Sequence, residues 1–419
     1  MESNRIRKTT FVERALFVCV AFVICTYNNC YFMWNSYNNS VVSSFFKIAQ
    51  HLACFLLLLY ALIRNHGRLN INVRGFIILV LSIILFVHIN FGGSQYRFGS
   101  ILVCLDVTIG IVGLLSLNVY QRMVLCKTVI VVFVIITLPG LLYYLLYLLG
   151  FTLDYSVLPS DHPGKIARGM YYMHKTFGLI IVEPGKIPRY TGLFDEPGMV
   201  GTTAALLFAA GYKHVKTKWI ILLAIEGIFS FSLAFYGLVI IFFAAKLFLK
   251  NPIKMICAVG VFIYAITLFR TIHFDNRALI SIQNRFEPNS TLTIKNNRYG
   301  KRFAKEYNKF WTKGGYPLYM GTGGLGAYAK NPVMIGANTY KCLVYDLGII
   351  GCALFLTFFI SIVFMDKKTS KGVMPFLLIF IVSLYQRAYV YKFSTVAIFV
   401  LAITMIHYEH WKAKRALIS

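Results

Sequence analysis

Long apolar runs follow one another along most of the chain, and short groups of charged residues separate them. Several runs approach or exceed the roughly 20 residues that a helix needs to cross a ~30 Å hydrocarbon layer. Because a backbone in that layer must satisfy its own hydrogen bonds, the runs predict helices. We predict about twelve transmembrane helices, near residues 12–31, 45–63, 75–91, 100–118, 123–150, 193–212, 218–231, 234–249, 253–270, 340–364, 373–388 and 393–410. The pattern is typical of an all-α polytopic membrane protein with a single integral membrane domain over residues 1–419.

Two of these runs have alternative interpretations. The seventh and eighth helices share one apolar stretch, Trp219 to Leu249, which is long for a single span. We place a break at Ser230–Ser232, between two short halves. The first apolar run has a secretory signal peptide as its alternative, but no small-residue cleavage site follows Tyr27, so we interpret it as an uncleaved helix.

The positions of lysine and arginine predict the orientation, because these residues concentrate in cytoplasmic loops. Seven basic groups fall on one face of the membrane if the chain has twelve spans with both termini in the cytoplasm. The groups are Arg5, Arg7, Lys8 and Arg14; Arg64, Arg68 and Arg74; Arg122 and Lys127; Lys213, Lys216 and Lys218; Lys246, Lys250 and Lys254; Lys367, Lys368 and Lys371; and Lys412, Lys414 and Arg415.

Two long connections then lie outside the cytoplasm, a first loop at residues 151–192 and a larger second loop at residues 271–339. They hold most of the Gly, Pro, Asn and isolated charged residues of the chain. Composition supports the membrane class, since 14% of the residues are charged, against about 25% in soluble domains. Long polar loops on a rigid frame commonly carry binding and catalysis, so we expect function there.

The second loop contributes to a formal net charge of +27. From Arg270 to Lys330 there are eleven basic residues and three acidic ones. Such a surface attracts anions, and arginine in particular binds phosphate through two parallel hydrogen bonds. The alternative is that long loops cross the membrane regardless of charge, so that the lysines are merely solvated.

A short amphipathic helix is predicted near residues 295–311 of the second loop. One face would carry Arg298, Arg302 and Lys305, beside an apolar stripe of Tyr299, Phe303, Tyr307 and Phe310. We expect such a helix to lie along the membrane surface, at the level of a lipid pyrophosphate head group. Nucleic acid is another partner of basic patches, but we set it aside because an outer loop rarely meets it.

The segment RYTGLFDEPGMVG, residues 189–201, leads from the first loop into an apolar helix. Its adjacent carboxylates, Asp195 and Glu196, are costly at the rim of a membrane unless they pair or act. Arg189 is the candidate counter-charge nearest in sequence. The alternative is helix capping, because acids before Pro197 suit a helix start, although capping accounts for one acid more easily than for both.

A glycine-rich segment, GTGGLG at residues 321–326, contains Gly323. Its backbone N–H groups could approach a phosphate closely, and a plain flexible turn is the alternative. Asn338 and Tyr340 follow where the second loop re-enters the membrane, and DLGIIG lies within the next helix at residues 346–351.

The order of these motifs resembles that of the bacterial O-antigen and capsular polysaccharide polymerases, which are related to the O-antigen ligases. The resemblance covers roughly residues 185–355, with RYTGLFDEPGMVG, then NNRYGKR at 296–302, GTGGLG, and ANTYKCLVYDLGIIG at 337–351. The ligases usually place a His before the Asn of the last motif. This chain has Ala337 there, which favours a polymerase over a ligase.

The resemblance implies a glycosyltransferase of the bacterial plasma (inner) membrane. Such an enzyme polymerises undecaprenyl-pyrophosphate-linked oligosaccharide repeat units at the outer face. Arg189 and Arg298 resemble the paired loop arginines of the family, and Glu196 resembles the acid of its first motif.

We expect the arginines and the acids among these residues to have different catalytic roles. Arg298, Arg302 and Arg189 would neutralise the departing pyrophosphate, while Glu196 or Asp195 accepts the proton of the attacking sugar hydroxyl. The expected set for binding pyrophosphate or glycan is Arg189, Arg302, Lys305, Asn338, Tyr340 and Gly323.

No metal and no cofactor is expected, because a pyrophosphate is already a competent leaving group and no Cys/His ligand spacing or GxxxxGK[ST] loop occurs. The expected partners are the lipid-linked oligosaccharide, the bilayer, a chain-length regulator and a flippase. The alternatives are a flippase or other transporter for lipid-linked sugars, an O-antigen ligase, and a non-catalytic assembly protein. A transporter of this size commonly shows two similar halves and short outer loops, whereas here one loop of about 70 residues lies in the second half.

Overall fold

The computed structural model contains fourteen helices and four strands within the residues that it describes. Those residues are 10–27, 30–31, 40–92, 98–151, 154–158, 166, 169–175, 178–184, 188–273, 280, 283, 301–322, 340–365, 371–386 and 391–416. The helices are α1 Phe11–Thr26, α2 Ser40–Arg64, α3 Val73–Phe91, α4 Phe98–Ser116, α5 Val119–Leu148, α6 Pro197–Gly211, α7 Thr217–Phe229, α8 Leu233–Lys250, α9 Pro252–Thr271, α10 Lys301–Lys313, α11 Tyr316–Met320, α12 Tyr340–Val363, α13 Met374–Gln386 and α14 Phe393–Ala416. The strands are β1 Ser156–Leu158, β2 Tyr171–Lys175, β3 Gly178–Val182 and β4 Arg189–Gly192.

Each of the twelve predicted apolar segments contains a helix, and these are α1 to α9 and α12 to α14. Within the described part of the chain, six helices are long and apolar enough to cross a membrane: α2, α3, α5, α8, α9 and α12. The chain is therefore a predominantly helical membrane protein. Other helices are shorter, such as α6 with 15 residues and α7 with 13.

The predicted break in the long apolar stretch separates α7 from α8. Phe231 between them has a φ of 46°, which no continuous helix contains. The Ser230 hydroxyl donates to the Gly227 carbonyl oxygen at 2.6 Å, and the backbone N–H of Ser232 donates to the Ser230 hydroxyl at 3.3 Å. The two serines therefore satisfy polar groups that the helix ends leave open.

The first loop forms a small antiparallel sheet with strand order β1-β2-β3-β4, which the apolar runs did not predict. The sheet packs on the C-terminal part of α5, where Gly140 and Gly178 meet. A Cβ atom at Gly178 would lie 2.2 Å from the Gly140 Cα, so only glycine permits this approach. Because α5 has 30 residues, it is about 45 Å long and extends beyond a ~30 Å hydrocarbon layer.

Helix α14 lies in the middle of the bundle and packs against α4, α5 and α6. Its side chains are buried without interruption from Val396 to Ile406. Helix α9, in contrast, lies at the edge of the described bundle. It packs on α8, and its apolar segment is not buried by other described residues. Packing on three helices therefore fixes the position of α14. The candidate site lies at the N-terminus of this helix.

Candidate functional site

The two acids that we predicted as catalytic residues lie in the short link between β4 and α6. The Tyr172 hydroxyl on β2 donates a hydrogen bond to the Asp195 carbonyl oxygen at 2.5 Å. The backbone N–H of Tyr31 donates to the Leu193 carbonyl oxygen at 2.9 Å. The link is thus held from two sides by bonds that do not use the carboxylates of Asp195 and Glu196.

Helix capping explains the position of Glu196 but not the role of its side chain. Glu196 is the N-cap residue of α6, with φ −144° and ψ 139°, and Pro197 follows at the start of the helix. An acid is electrostatically favoured at this end of a helix. However, the carboxylate makes no capping hydrogen bond. Capping therefore accounts for the backbone conformation of Glu196 but not for a function of its half-buried carboxylate.

Lys392, which we did not predict as a site residue, lies near enough to Asp195 for their charges to interact. It directly precedes α14, far along the chain from the acids. Burial lowers the pKa of the Lys392 ammonium, and attraction to Asp195 opposes that shift. One signal in the sequence was available: Lys392 is a basic residue at the predicted outer end of a membrane helix, where lysine is uncommon.

Arg189, the predicted counter-charge of the acids, is the first residue of β4 and is half-buried. Its charge acts on Tyr144 of α5, whose hydroxyl donates to the Pro188 carbonyl oxygen at 3.0 Å. Arg189 therefore lies beside the C-terminal part of α5. A role for it opposite Asp195 and Glu196 stays a prediction.

A groove of about 120 Å³ lies between α6, α8 and α13. Its walls are largely apolar, with Leu233, Leu238 and Ile241 from α8 and Val382 from α13. Thr202 of α6 also lines it, about 9 Å along the helix from Glu196 at 1.5 Å per residue. Gly237 faces open space, since nothing lies within 4 Å of a Cβ placed there. The acid pair thus stands at the start of a helix that borders an apolar groove.

The amphipathic helix predicted in the second loop is present as α10, from Lys301 to Lys313. Phe303, Tyr307 and Phe310 of its predicted apolar stripe are buried. Phe310 contacts Tyr345 of α12 with ring centroids 5.1 Å apart. Protein contacts to α12 therefore cover part of the face that we expected to meet the membrane surface.

Three predicted binding residues of the second loop fall on the described residues. Lys305 is exposed on α10, and Arg302 belongs to the same helix by its backbone. Tyr340 begins α12 and stacks on Tyr385 of α13, with ring centroids 5.5 Å apart. Three others, Arg298, Gly323 and Asn338, lie outside the described residues, so their placement stays a prediction.

The beginning of the glycine-rich segment packs against an interruption in α12. Gly348 has a φ of 66° and a ψ of −175° inside that helix, a conformation that favours glycine. The backbone N–H of Thr322 donates to the Tyr345 carbonyl oxygen at 3.0 Å. On another side, His88 of α3 bonds the Leu347 carbonyl oxygen at 2.8 Å through Nε2. The helix break thus has partners for its exposed carbonyl groups, which a membrane environment requires.

Among the described residues, no group of three or more His, Cys, Asp or Glu side chains could hold a metal ion. No protein-family model, no curated protein and no solved structure matches the chain. What the described site can do therefore follows from its own chemistry: two adjacent carboxylates at the start of α6, a half-buried lysine near Asp195, and an apolar groove along α6.

Proposed function

We propose that the chain is a glycosyltransferase that polymerises oligosaccharide repeat units carried on a lipid pyrophosphate, at the outer face of the plasma membrane. The observation that carries the proposal is the proximity of Lys392, at the start of α14, to Asp195, which adjoins Glu196 at the start of α6. A carboxylate that can accept a proton and a cation that can offset negative charge are the two groups that this transfer needs.

In the proposed reaction, a hydroxyl of the acceptor sugar attacks the anomeric carbon of the donor glycan. The new C–O bond forms as the bond from that carbon to the pyrophosphate breaks, and the lipid pyrophosphate leaves with the electron pair. The hydroxyl proton passes to Glu196. Asp195 interacts with Lys392 and is assigned to holding that cation, so Glu196 is the better candidate for the base.

The groove between α6, α8 and α13 supports a lipid-linked substrate. A polyprenyl chain is apolar and must stay in the membrane while its head group reacts at the rim. The groove is apolar and borders the helix that begins at Glu196 and Pro197. A lipid chain there would hold its pyrophosphate near the start of α6.

Twelve spans with both termini in the cytoplasm form part of the proposal. This arrangement puts the starts of α6 and α14, the strands β1 to β4, and α10 on the outer side together. It also puts the seven basic groups on the cytoplasmic side, as the distribution of lysine and arginine favours.

A transporter for lipid-linked sugars is the second candidate, and the break in α12 favours it. Interrupted membrane helices often surround transported substrates or ions. Here the interruption at Gly348 follows the buried acid Asp346. This break has bonds from Thr322 and His88, so a purely structural explanation is available for it.

One experiment separates the two candidates: deletion of the gene in the source cell, followed by location of the lipid-linked repeat units. A polymerase defect leaves single repeat units exposed on the outer face, where an added impermeant glycosidase or lectin reaches them. A transport defect keeps them in the inner leaflet, protected until the membrane is opened. Protected units in the deletion strain would overturn the polymerase proposal.

A further inference from the structure

Three lysines gather at the other end of the bundle, where α6 and α8 finish. Lys246 of α8 has its Nζ 4.3 Å from the ring centroid of Tyr212. The Nζ of Lys213 lies 5.8 Å from the same ring. Lys250 is one helical turn after Lys246 and is exposed. We call Lys213, Lys246 and Lys250 the lysine cluster.

The lysine cluster has no counter-charge within the described part of the chain. None of its three side chains forms an ion pair there. Lys213 and Lys250 instead repel the charge of Lys246. The acid in the stretch between them, Glu226, is fully buried, and its Oε1 accepts a hydrogen bond from Thr137 at 2.7 Å. Within the described residues, no carboxylate therefore offsets the repulsion of Lys246 by Lys213 and Lys250.

The backbone conformation of Lys213 is a second unusual feature of the lysine cluster. Lys213 has a φ of 68°, in the left-handed region that glycine or asparagine usually occupies. A lysine there carries a local strain, and such strain often marks a functional position. Beside the cluster, Phe243 is 39% exposed, and its ring centroid lies 5.3 Å from that of Tyr212. Positive charge and apolar surface thus adjoin at the membrane boundary.

We propose that the lysine cluster binds the phosphate of an anionic phospholipid in the leaflet on that side, with the lipid chains against Phe243. Charge complementarity and position select this occupant, since basic groups beside membrane helices bind anionic head groups. The aromatic ring of Tyr212 holds the ammonium groups of Lys213 and Lys246 in place for the phosphate. The proposal is independent of the catalytic function.

Two double variants that each remove two positive charges at this end of the bundle provide the test. The cluster variant is Lys213→Gln with Lys246→Gln, and the matched variant is Lys216→Gln with Lys218→Gln. Lys216 and Lys218 lie outside the cluster, and Lys218 lies over Trp219 at 5.0 Å. Binding of phosphatidylglycerol to the full-length purified protein, against phosphatidylcholine, is measured by native mass spectrometry. We expect the cluster variant to lose about tenfold or more in phosphatidylglycerol affinity, at ~1 kcal/mol per lysine, and the matched variant to change little.

Two further arms keep the test decisive. Lys250→Gln removes an exposed side chain, so it reports on binding even if the cluster double variant fails to fold, and a loss of a fewfold is expected. Inorganic phosphate is added as a competitor to separate a lipid site from a site for the free ion. Equal losses in both double variants, no loss with Lys250→Gln, or displacement of the lipid by equimolar inorganic phosphate would each overturn the proposal.

Discussion

The two ends of α6 carry opposite chemistry. Its start has Asp195 and Glu196 with the half-buried Lys392 near Asp195, whereas its finish has Lys213 beside Lys246 without a carboxylate partner within the described residues. Both ends agree with the helix dipole, which favours acids at the start and bases at the finish. The difference is that the start offers a carboxylate as proton acceptor beside a cation that offsets negative charge, whereas the finish presents positive charge that attracts an anion. We therefore assign chemistry to the first end and binding to the second.

Glu196→Gln tests the chemical assignment most severely. The amide keeps the size of the side chain but cannot accept the proton of the attacking hydroxyl. We expect polymer formation to fall by about 100-fold or more, the usual contribution of a general base. Glycan length is measured on gels with equal amounts of membrane-inserted protein. Glu183→Gln, an acid after β3 outside the proposed machinery, is the matched control and should polymerise normally.

Gly237→Phe tests whether the groove beside that end of α6 is used. A phenyl group at this open position would fill the groove between α8 and α13. We expect turnover to fall by about tenfold, the equivalent of ~1.4 kcal/mol, through weaker use of the lipid-linked donor. Gly260→Phe in α9 is the control, because it also has nothing within 4 Å. Equal activity of the two variants in a polymer assay would remove the groove from the account.

Asp195→Asn tests the pairing with Lys392 through the pH dependence. Asp195 raises the pKa of Lys392, opposing the lowering by burial. Without the carboxylate, the pKa of Lys392 falls further and the ammonium loses its proton at lower pH. The alkaline limb of the pH–activity profile should therefore move to lower pH. Asp154→Asn, an exposed acid in the first loop, should leave the profile in place.

Gly178→Ala tests how the sheet supports the acid end. The added methyl group would meet the backbone of Gly140 on α5. We expect a loss of ~1–3 kcal/mol in stability, as for overpacked contacts. It is measured as a lower Tm of the detergent-purified protein by intrinsic fluorescence. Gly260→Ala, which meets no neighbour, should leave Tm unchanged or slightly higher.

Much of the helical frame could be predicted because a helix that crosses a membrane needs a long run of apolar residues. The break at Ser230–Ser232 followed from run length, and a helix near 295–311 followed from helical spacing. Within the described residues that helix runs from Lys301 to Lys313. The sheet could not be predicted that way, since its strands have three to five residues in a loop of mixed polarity. The interruption of α12 at Gly348 was also missed, because a glycine within an apolar run does not by itself indicate a break.

Some residues of the candidate site could be predicted from the sequence, and one could not. Asp195 and Glu196 were predicted because two acids at a membrane rim are costly and lie side by side in the sequence. Lys392 was missed because its relation to Asp195 depends on the packing of α14 against α6, which no local pattern contains.

Reconstitution of the purified protein in lipid vesicles, with lipid-linked repeat units in the same bilayer and no other protein, tests the central claim most directly. Our account predicts glycan chains of several repeat units with the wild type and single units with Glu196→Gln. Single units with the folded, correctly inserted wild-type protein would contradict it.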